Sequence, residues 1–230
     1  MNPFTLAVMK SAAKAFSLPE TVIEVGSKQY GEPSGWYDLR SLFPGKKYVG
    51  CDMSEGPGVD RIEDLTKMTF RDGEVGTLLC LHILEHVWDV FAAAREIRRV
   101  VKPGGAAIVV CPFHLHLHRY PKDYWRFTDD TMRMLFDGFP HIVVGRHGYD
   151  TMPRDVFAIG FKTADFPDFE ERSGEFKAAL LELGREEASL GTRLRMGLGY
   201  SLFGKKHFKD FIHRNEVHLE LVKPGASPSP

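Results

Sequence analysis

The sequence predicts an α/β fold in which a mostly parallel sheet of seven strands, the last one antiparallel, is flanked by helices. Short β-branched runs bounded by Gly, Pro or Asp indicate buried strands, and segments of helical periodicity lie between and around them. Strands that alternate with helices are typical of a parallel sheet covered on both faces. Ligands bind outside the carboxyl ends of such strands, so the motifs that follow strand ends are the candidates for a site.

The runs that indicate parallel strands are residues 21–25, 47–51, 75–80 and 106–111. Two later runs, HIVVG from His141 and DVFAIGFK from Asp155, are predicted to close the sheet. Each of the three cysteines ends one of the parallel runs, without the spacing of a metal knuckle. We therefore expect the cysteines to be small buried core residues.

Helical periodicity indicates the elements that cover the sheet. An opening helix within residues 1–17 places Phe4 and Val8 on one face and ends before a Leu-Pro break. A crossover helix begins near Val87 and stops at the KPGG segment, residues 102–105, and a further helix spans 128–136 with Thr128 as its cap. Charged helical segments are expected over 167–222, followed by a disordered tail at 223–230.

Length and composition favour one compact domain with a small-molecule partner. The 230 residues fit a single domain, which we place at residues 1–222. Thirty Lys and Arg balance thirty-one Asp and Glu, so no global field attracts nucleic acid or an anionic membrane, and neither is an expected partner. The first residues lack a basic leader with a long apolar run, so a cytoplasmic protein is expected.

The first two strands end in residues suited to an adenosine-containing ligand. Glu24 lies near the end of the first strand, and Gly26 and Ser27 follow it; a glycine lets the backbone turn tightly and approach a ligand. The second strand ends at Asp52 and Met53, where a carboxylate can accept hydrogen bonds from ribose hydroxyls. A G-x-G-x-x-G run is absent from the sequence, which argues against a nicotinamide cofactor.

The order of these motifs resembles class I S-adenosylmethionine-dependent methyltransferases, especially the bacterial type 11 group, over about residues 21–162. The matching motifs are VIEVGS, YVGCDMS, IEDLTKMTFRDGEVGTLLCLHILEHV and VVKPGGAAIVV. The resemblance implies a Rossmann-like fold, methyl transfer, and S-adenosylmethionine as cofactor. It also implies a cofactor site made of Glu24, Gly26, Ser27, Asp52, Met53, Asp64, Leu65, Leu81 and His82. Lys28 stands where the family usually has a second glycine.

Within that implied site, Asp52 would hold the ribose, Asp64 and Leu65 would meet the adenine, and Leu81 and His82 would border the sulfonium. Histidines follow two strand ends: His82 and His86 after one, and an extended HLHLH segment ending at His118 after the other. Alternation along an extended segment would place its three imidazoles on one side. A neutral imidazole can accept the proton of an acceptor hydroxyl, so His86 and His118 are the candidate catalytic bases.

The segment from His82 to His86 also has two patterns related to metals. H-x-x-E-H occurs in inverted zinc peptidases, but a peptidase needs both histidines one turn apart in a helix, whereas His82 directly follows a strand. A resemblance to methyltransferases with an E-x-x-E-H segment implies a divalent metal ion held by His82, Glu85 and His86. Imidazoles shift the preference from magnesium towards a softer ion. Alternatively, Glu85 caps the crossover helix.

The stretch HRYPKDYWRFT, residues 118–128, resembles a segment of type 11 enzymes associated with glycan or natural-product pathways. It lies in an expected substrate-side insertion, residues 112–137. Aromatic faces can stack on a sugar while Asp123 and Arg126 bind its hydroxyls; alternatively, these two pair structurally and the aromatic residues merely pack. The leading hypothesis is O-methylation of a sugar or glycan precursor in polysaccharide biosynthesis. The alternatives are N- or C-methylation of another small metabolite, and a non-catalytic cofactor-binding partner protein. The C-terminal helices could equally support a homodimer.

Overall fold

The computed structural model describes residues 2–29, 38–119, 122–185, 191, 194, 198, 201 and 212–224. Within these residues the chain forms one sheet of eight strands in the spatial order β3-β2-β1-β4-β5-β7-β6-β8. The strands are β1 (Val22–Val25), β2 (Tyr48–Asp52), β3 (Arg61–Ile62), β4 (Val75–Leu81), β5 (Val101–Pro112), β6 (His141–Tyr149), β7 (Met152–Phe161) and β8 (Val217–Val222).

Strands β1 to β5 pair in parallel, whereas β7 pairs antiparallel with both β5 and β6, and β8 pairs antiparallel with β6. The predicted α/β class, with a mostly parallel sheet flanked by helices, is confirmed. The strand count of seven is wrong, because the described residues form eight strands. Strands β7 and β8 both run against the others, so the last strand is not alone in being antiparallel.

The two strands that the sequence pattern did not reveal lie at the two edges of the sheet. Strand β3 has two residues, which is too short to show alternation. Strand β8 falls in the region predicted to be helical, residues 167–222, and corrects that prediction. Its apolar residues alternate with polar ones, the period of a strand; Val217, Leu219 and Leu221 pack against the core. The tail predicted at 223–230 lies almost wholly outside the described residues.

Three of the helices that cover the sheet begin at side-chain caps. Helix α1 (Pro3–Ala15) starts where Asn2 accepts a hydrogen bond from the Thr5 amide, and helix α3 (Asp129–Leu135) starts at the predicted cap Thr128. The other two helices are α2 (Val90–Val100) and α4 (Phe169–Leu183). Asp89, not Glu85, caps α2, so the capping role weighed for Glu85 is wrong. Capping is worth about 1 kcal/mol per helix.

Two apolar layers lie on the two faces of the sheet. Along β5, Ala107 and Val109 belong to the layer under α2 and α3, whereas Ile108 and Val110 belong to the layer under α1 and α4. All three cysteines are free and buried, as the sequence predicts. No helix in the described part of the chain combines the length and the apolar character that a membrane crossing requires.

One acidic side chain is enclosed by the sheet itself. Glu24 on β1 is 8% exposed, and its Oε2 accepts a hydrogen bond of 2.6 Å from the hydroxyl of Tyr48 on β2. Burial raises the pKa of Glu24 to about 7, while the Tyr48 hydroxyl and the nearby Arg40 favour the ionised form. The folded protein therefore binds a proton at Glu24 at pH values where the unfolded chain has lost it.

This difference predicts a stability that falls as the pH rises. An unfolded Glu has a pKa of about 4.3, so between about pH 4.5 and 7 the folded state binds more protons and the free energy of unfolding decreases. Glu24→Gln removes the titration and keeps an acceptor for Tyr48. Urea unfolding at several pH values from 5 to 8 should show the variant gaining stability relative to the original chain as the pH rises. A constant difference across that range would contradict the account.

Candidate active site

The carboxyl ends of β1, β2, β4 and β5 meet at one edge of the sheet, where the predicted site residues gather. The amides of Gly26 and Ser27 donate to the carbonyl of Cys51 at 2.8 and 3.0 Å, which ties the loop after β1 to β2. Gly26 has a φ of +82°, and a Cβ there would lie 2.0 Å from Cδ1 of Ile83. Glycine is therefore required for the loop after β1 to pack directly against the turn after β4.

The end of β2 presents a carboxylate at this edge. Oδ1 of Asp52 accepts hydrogen bonds from the amide and hydroxyl of Ser54 at 3.1 and 3.3 Å, and Met53 beside it is 74% exposed. Lys28 donates to the Ser54 hydroxyl at 2.9 Å. The lysine that replaces the family's second glycine thus connects the loop after β1 to the end of β2; residues 30–37 of that loop lie outside the described residues.

Asp64 and Leu65 lie further along the same edge, after β3. Oδ1 of Asp64 accepts hydrogen bonds from the amide and hydroxyl of Thr66 at 2.9 and 2.7 Å, which closes a tight turn. Leu65 is buried at 3% exposure. Leu81 ends β4. The structure therefore places the residues of the implied cofactor site at strand ends along one edge, except Glu24, whose carboxylate is held against Tyr48.

A buried carboxylate with three imidazoles around it follows β4. His82 has a φ of +57°, a left-handed conformation that turns the chain sharply after the strand. The 3-10 helix Leu84–His86 then directs the fully buried carboxylate of Glu85 inward. Its Oε1 lies 3.7 Å from Nδ1 of His82, 3.8 Å from Nε2 of His118 and 4.0 Å from Nε2 of His86. We call these four side chains the histidine cluster.

The partners of the three rings fix which nitrogen carries the proton. Nδ1 of His86 must donate to the carbonyl of Lys122, because a carbonyl can only accept. Nδ1 of His118 donates to the carbonyl of His116 at 3.4 Å and lies 3.3 Å from the carboxylate of Asp123. The Thr5 hydroxyl donates to Asn2, so it accepts from Nε2 of His82 at 2.7 Å. In the neutral state, each ring therefore points an unprotonated nitrogen towards Glu85.

The distances within the histidine cluster are too long for hydrogen bonds. Both carboxylate oxygens of Glu85 are buried and accept no hydrogen bond from the described part of the chain. A buried ionised carboxylate without a partner costs several kcal/mol. The cluster is thus a set of converging acceptors suited to receive a proton or a cation.

An ion pair fixes the segment that contributes His118. Nη2 of Arg126 lies 2.9 Å from Oδ2 of Asp123 and 3.3 Å from the carbonyls of Leu115 and His116. Hydrogen bonds from Arg126, followed by the amide of His118, hold the pKa of Asp123 well below its usual range. The amide of Tyr124 donates to the carbonyl of Glu85 at 2.8 Å, so this segment is attached to the turn that carries the cluster.

Three exposed aromatic side chains lie beside the histidine cluster. Trp88 is 70% exposed, and its ring centre lies 5.3 Å from that of Tyr124 and 6.1 Å from that of Trp125. Nε1 of Trp125 donates to the carbonyl of Val87 at 2.9 Å. We call these three rings the aromatic shelf. Trp88 was not among the predicted site residues. A usable signal was present, because Trp88 is an aromatic residue just before the α2 cap and outside the apolar face of α2.

Among the predicted histidines, the structure brings His86 and His118 together at Glu85, with their ring centres 5.0 Å apart. The predicted metal ligands were His82, Glu85 and His86. The described side chains whose ligand atoms all lie within 4.8 Å of one another are instead Glu85, His86 and His118. His114 and His116 are exposed, and the ring centre of His116 lies 6.4 Å from that of His118. Of the three imidazoles of the HLHLH segment, His118 is the one that belongs to the histidine cluster. No sequence signal pointed to Thr5, which orients His82.

Comparison with known proteins identifies the type of domain. Residues 30–109 match the type 11 family model described as Methyltransferase domain. No curated relative matches the sequence closely enough to be compared with it. Solved structures that share the fold include a possible histamine N-methyltransferase from Thermotoga maritima, with 17% identity over 69% of this chain and 89% of that chain and a TM-score of 0.52.

Two further structures share the fold at a similar level. A methyltransferase from Archaeoglobus fulgidus has 13% identity over 69% of this chain and 94% of that chain, with a TM-score of 0.52. The 1,6-didemethyltoxoflavin-N1-methyltransferase of Burkholderia thailandensis, with bound 1,6-didemethyltoxoflavin and S-adenosylhomocysteine, has 15% identity over 70% of this chain and 78% of that chain, with a TM-score of 0.51. Residues 30–109 are therefore similar to a methyltransferase domain, and the chain has the Rossmann-like fold that these S-adenosylmethionine-dependent enzymes share.

Proposed function

We propose that this protein is a methyltransferase that transfers the methyl group of S-adenosylmethionine to a hydroxyl of a sugar or glycan precursor. The observation that carries the proposal is the convergence of unprotonated imidazole nitrogens of His86 and His118 on the buried Glu85. An alcohol must lose its proton as it attacks the methyl group, and a neutral imidazole is suited to accept that proton near neutral pH. We assign His86 and His118 as the candidate bases.

The ends of β1 and β2 fit the methyl donor. The carboxylate of Asp52, held through Oδ1 by Ser54, has the position and the chemistry to accept hydrogen bonds from ribose hydroxyls. The exposed Met53 supplies an apolar side chain beside it. We assign the cofactor site to the residues named for it in the sequence analysis. Glu24 would contribute by holding the end of β1, since its buried carboxylate is bonded to Tyr48. The bound cofactor supplies an electrophilic methyl group on a positively charged sulfur.

The turn after β4 brings the two halves of the site together. Ile83 packs on Gly26 of the proposed cofactor loop, and its chain neighbour His82 belongs to the histidine cluster. An acceptor bound at the cluster would therefore lie beside the cofactor loop, which is the arrangement that in-line methyl transfer requires. In the transfer, the acceptor oxygen forms a bond to the methyl carbon as the carbon–sulfur bond breaks. The hydroxyl proton passes to Nε2 of His86 or His118.

The aromatic shelf supports a carbohydrate as acceptor. Exposed rings beside a proton acceptor can stack on the apolar face of a sugar, and Trp88 offers the largest exposed ring of the three. We assign no contact with the sugar to Asp123, because its side chain is 1% exposed and is paired with Arg126. Recognition of the sugar then depends mainly on the shelf and on the cluster.

A second candidate is methyl transfer to nitrogen or carbon of another small metabolite. It is favoured by the similarity of the fold to a possible histamine N-methyltransferase and to the 1,6-didemethyltoxoflavin-N1-methyltransferase, although that similarity concerns the fold alone. An amine has a free lone pair when neutral and needs less help from a base. A non-catalytic role as a cofactor-binding partner remains the third candidate, suggested by Lys28 in the loop after β1.

A panel assay separates these candidates. The purified chain is incubated with S-adenosylmethionine carrying a labelled methyl group and with glycosides, phenols, primary amines and imidazoles. We expect labelled methyl ethers from at least one class of glycoside. Transfer only to amines would contradict the hydroxyl proposal, and absence of transfer despite binding of S-adenosylhomocysteine in calorimetry would favour the non-catalytic role.

Substitution of the two candidate bases tests the role of the histidine cluster. His118→Ala and His86→Ala should each lower kcat for the glycoside on the order of a hundredfold or more, because each removes an acceptor nitrogen that faces Glu85. The matched control is His114→Ala, which changes an exposed histidine of the same segment. Equal activity of all three variants would contradict the assignment. Unchanged binding of S-adenosylhomocysteine would show that the cofactor loop is intact.

Substitution of the shelf tests the acceptor class. Trp88→Ala should raise KM for the glycoside about three- to tenfold and leave kcat nearly unchanged, since stacking of an aromatic ring is worth about 0.5–1.5 kcal/mol. The control is Phe91→Ala, which removes an exposed ring of similar accessibility on α2. If the Phe91 variant showed the same rise in KM, the shelf would have no special role in binding the acceptor.

A further inference from the structure

We infer that the histidine cluster is a binding site for one divalent transition-metal ion, held by Glu85, His86 and His118. The inference rests on the proposed function only for the role of the ion, not for its binding. The ligand atoms of these three side chains, a carboxylate oxygen and two imidazole nitrogens, all lie within 4.8 Å of one another. Glu85 comes from the turn after β4, and His118 from the segment after β5, so the site joins two strand ends.

The separations suit a shared ion better than direct contacts. Nε2 of His118 and Nε2 of His86 lie 3.8 and 4.0 Å from Oε1 of Glu85, well beyond the 2.7–3.2 Å of a hydrogen bond. Two ligands of a tetrahedral ion with bond lengths of about 2.0–2.1 Å lie about 3.4 Å apart. The two oxygen–nitrogen separations exceed that value by about 0.4 and 0.6 Å, a difference that small side-chain rotations can remove.

The charge of Glu85 gives an independent argument. Its carboxylate is fully buried, and neither oxygen accepts a hydrogen bond among the residues that the structure describes. The ion pair of Asp123 and Arg126 nearby neutralises itself, so it offers no compensating charge to Glu85. A divalent cation would supply the missing partner, which buried charges in proteins generally have.

The outer contacts of the two histidines are those of metal ligands. A ligating imidazole usually donates its second N–H to a carbonyl or a carboxylate, which fixes the ring and the lone pair. Nδ1 of His86 donates to the carbonyl of Lys122, and Nδ1 of His118 faces the carboxylate of Asp123 at 3.3 Å. Each ring is therefore already held with Nε2 directed at the proposed ion.

The composition of the site selects the metal. Two imidazoles and one carboxylate suit Zn²⁺ and related ions, whereas Mg²⁺ and Ca²⁺ prefer oxygen ligands. Three protein ligands leave a coordination position open, as in catalytic zinc sites. An acceptor hydroxyl bound there would have a lowered pKa. With the ion bound, His86 and His118 are ligands rather than bases, and Nδ1 of His82, the remaining unprotonated nitrogen of the cluster, would accept the proton. In the metal-free protein, His86 and His118 keep the role of bases proposed above.

Cobalt binding tests the site without reference to activity. The untagged full chain is treated with a chelator, dialysed and titrated with Co²⁺, and visible absorption bands of imidazole-bound Co²⁺ are followed. We expect saturation at one equivalent and displacement by Zn²⁺. His118→Ala and Glu85→Gln should weaken binding at least about tenfold to a hundredfold, since each removes a ligand. His114→Ala is the matched control, and circular dichroism confirms that each variant is folded.

The possible outcomes are distinct. The metal site would be overturned if the protein bound no Co²⁺. It would also be overturned if the His118 and His114 variants bound Co²⁺ equally strongly. Asp123→Asn offers a second variant with all three ligands intact; it should weaken binding about tenfold, and an unchanged affinity would count against the assigned outer contact. If the protein freed of metal kept full activity on the glycoside, the ion would have no role although the proposed function would stand. If the protein bound Co²⁺ at this site but transferred no methyl group, the metal site would stand and the proposed function would fail.

Discussion

The buried carboxylate of Glu85 is the constraint on which the rest of the site depends. It lies at the turn after β4, where His82 reverses the chain, and unprotonated nitrogens of three imidazoles face it at 3.7–4.0 Å. A charge in this position is stable only if the surrounding groups or a bound ion compensate for it. The fixed positions of His86, His118 and the segment around Asp123 follow from that requirement.

The parallel sheet makes this arrangement possible by bringing distant segments to one edge. The loop after β1 packs on the turn after β4 because Gly26 leaves room for Ile83. The segment after β5 is attached to the same turn by the hydrogen bond from Tyr124 to Glu85 and is stiffened by Asp123 and Arg126. The proposed donor and acceptor sites are thus adjacent, although the chain elements that form them are about ninety residues apart, the distance from Gly26 to His118.

Local patterns predicted the elements and the candidate residues, but not which of them meet. The helix cap at Thr128 followed from boundary residues. The strands from β1 to β7 followed from periodicity, apart from β3, which has two residues. Strand β8 was missed because its charged surroundings favoured a helix, and only its pairing with β6 selects the strand. His118 takes the place predicted for His82 in the set of ligand atoms that all lie within 4.8 Å of one another, because two strand ends approach each other. A single sequence gives no signal for that approach.

The protonation of the two imidazoles tests the central claim most directly. Long-range proton–nitrogen NMR on nitrogen-labelled, chelator-treated protein at a pH of about 8 identifies the tautomer of each neutral histidine. The account predicts that His86 and His118 both carry their proton on Nδ1, so that Nε2 of each ring faces Glu85 as an acceptor. Protons on Nε2 would mean that the rings donate to the carboxylate as ordinary partners, and the converging set of acceptors would not exist.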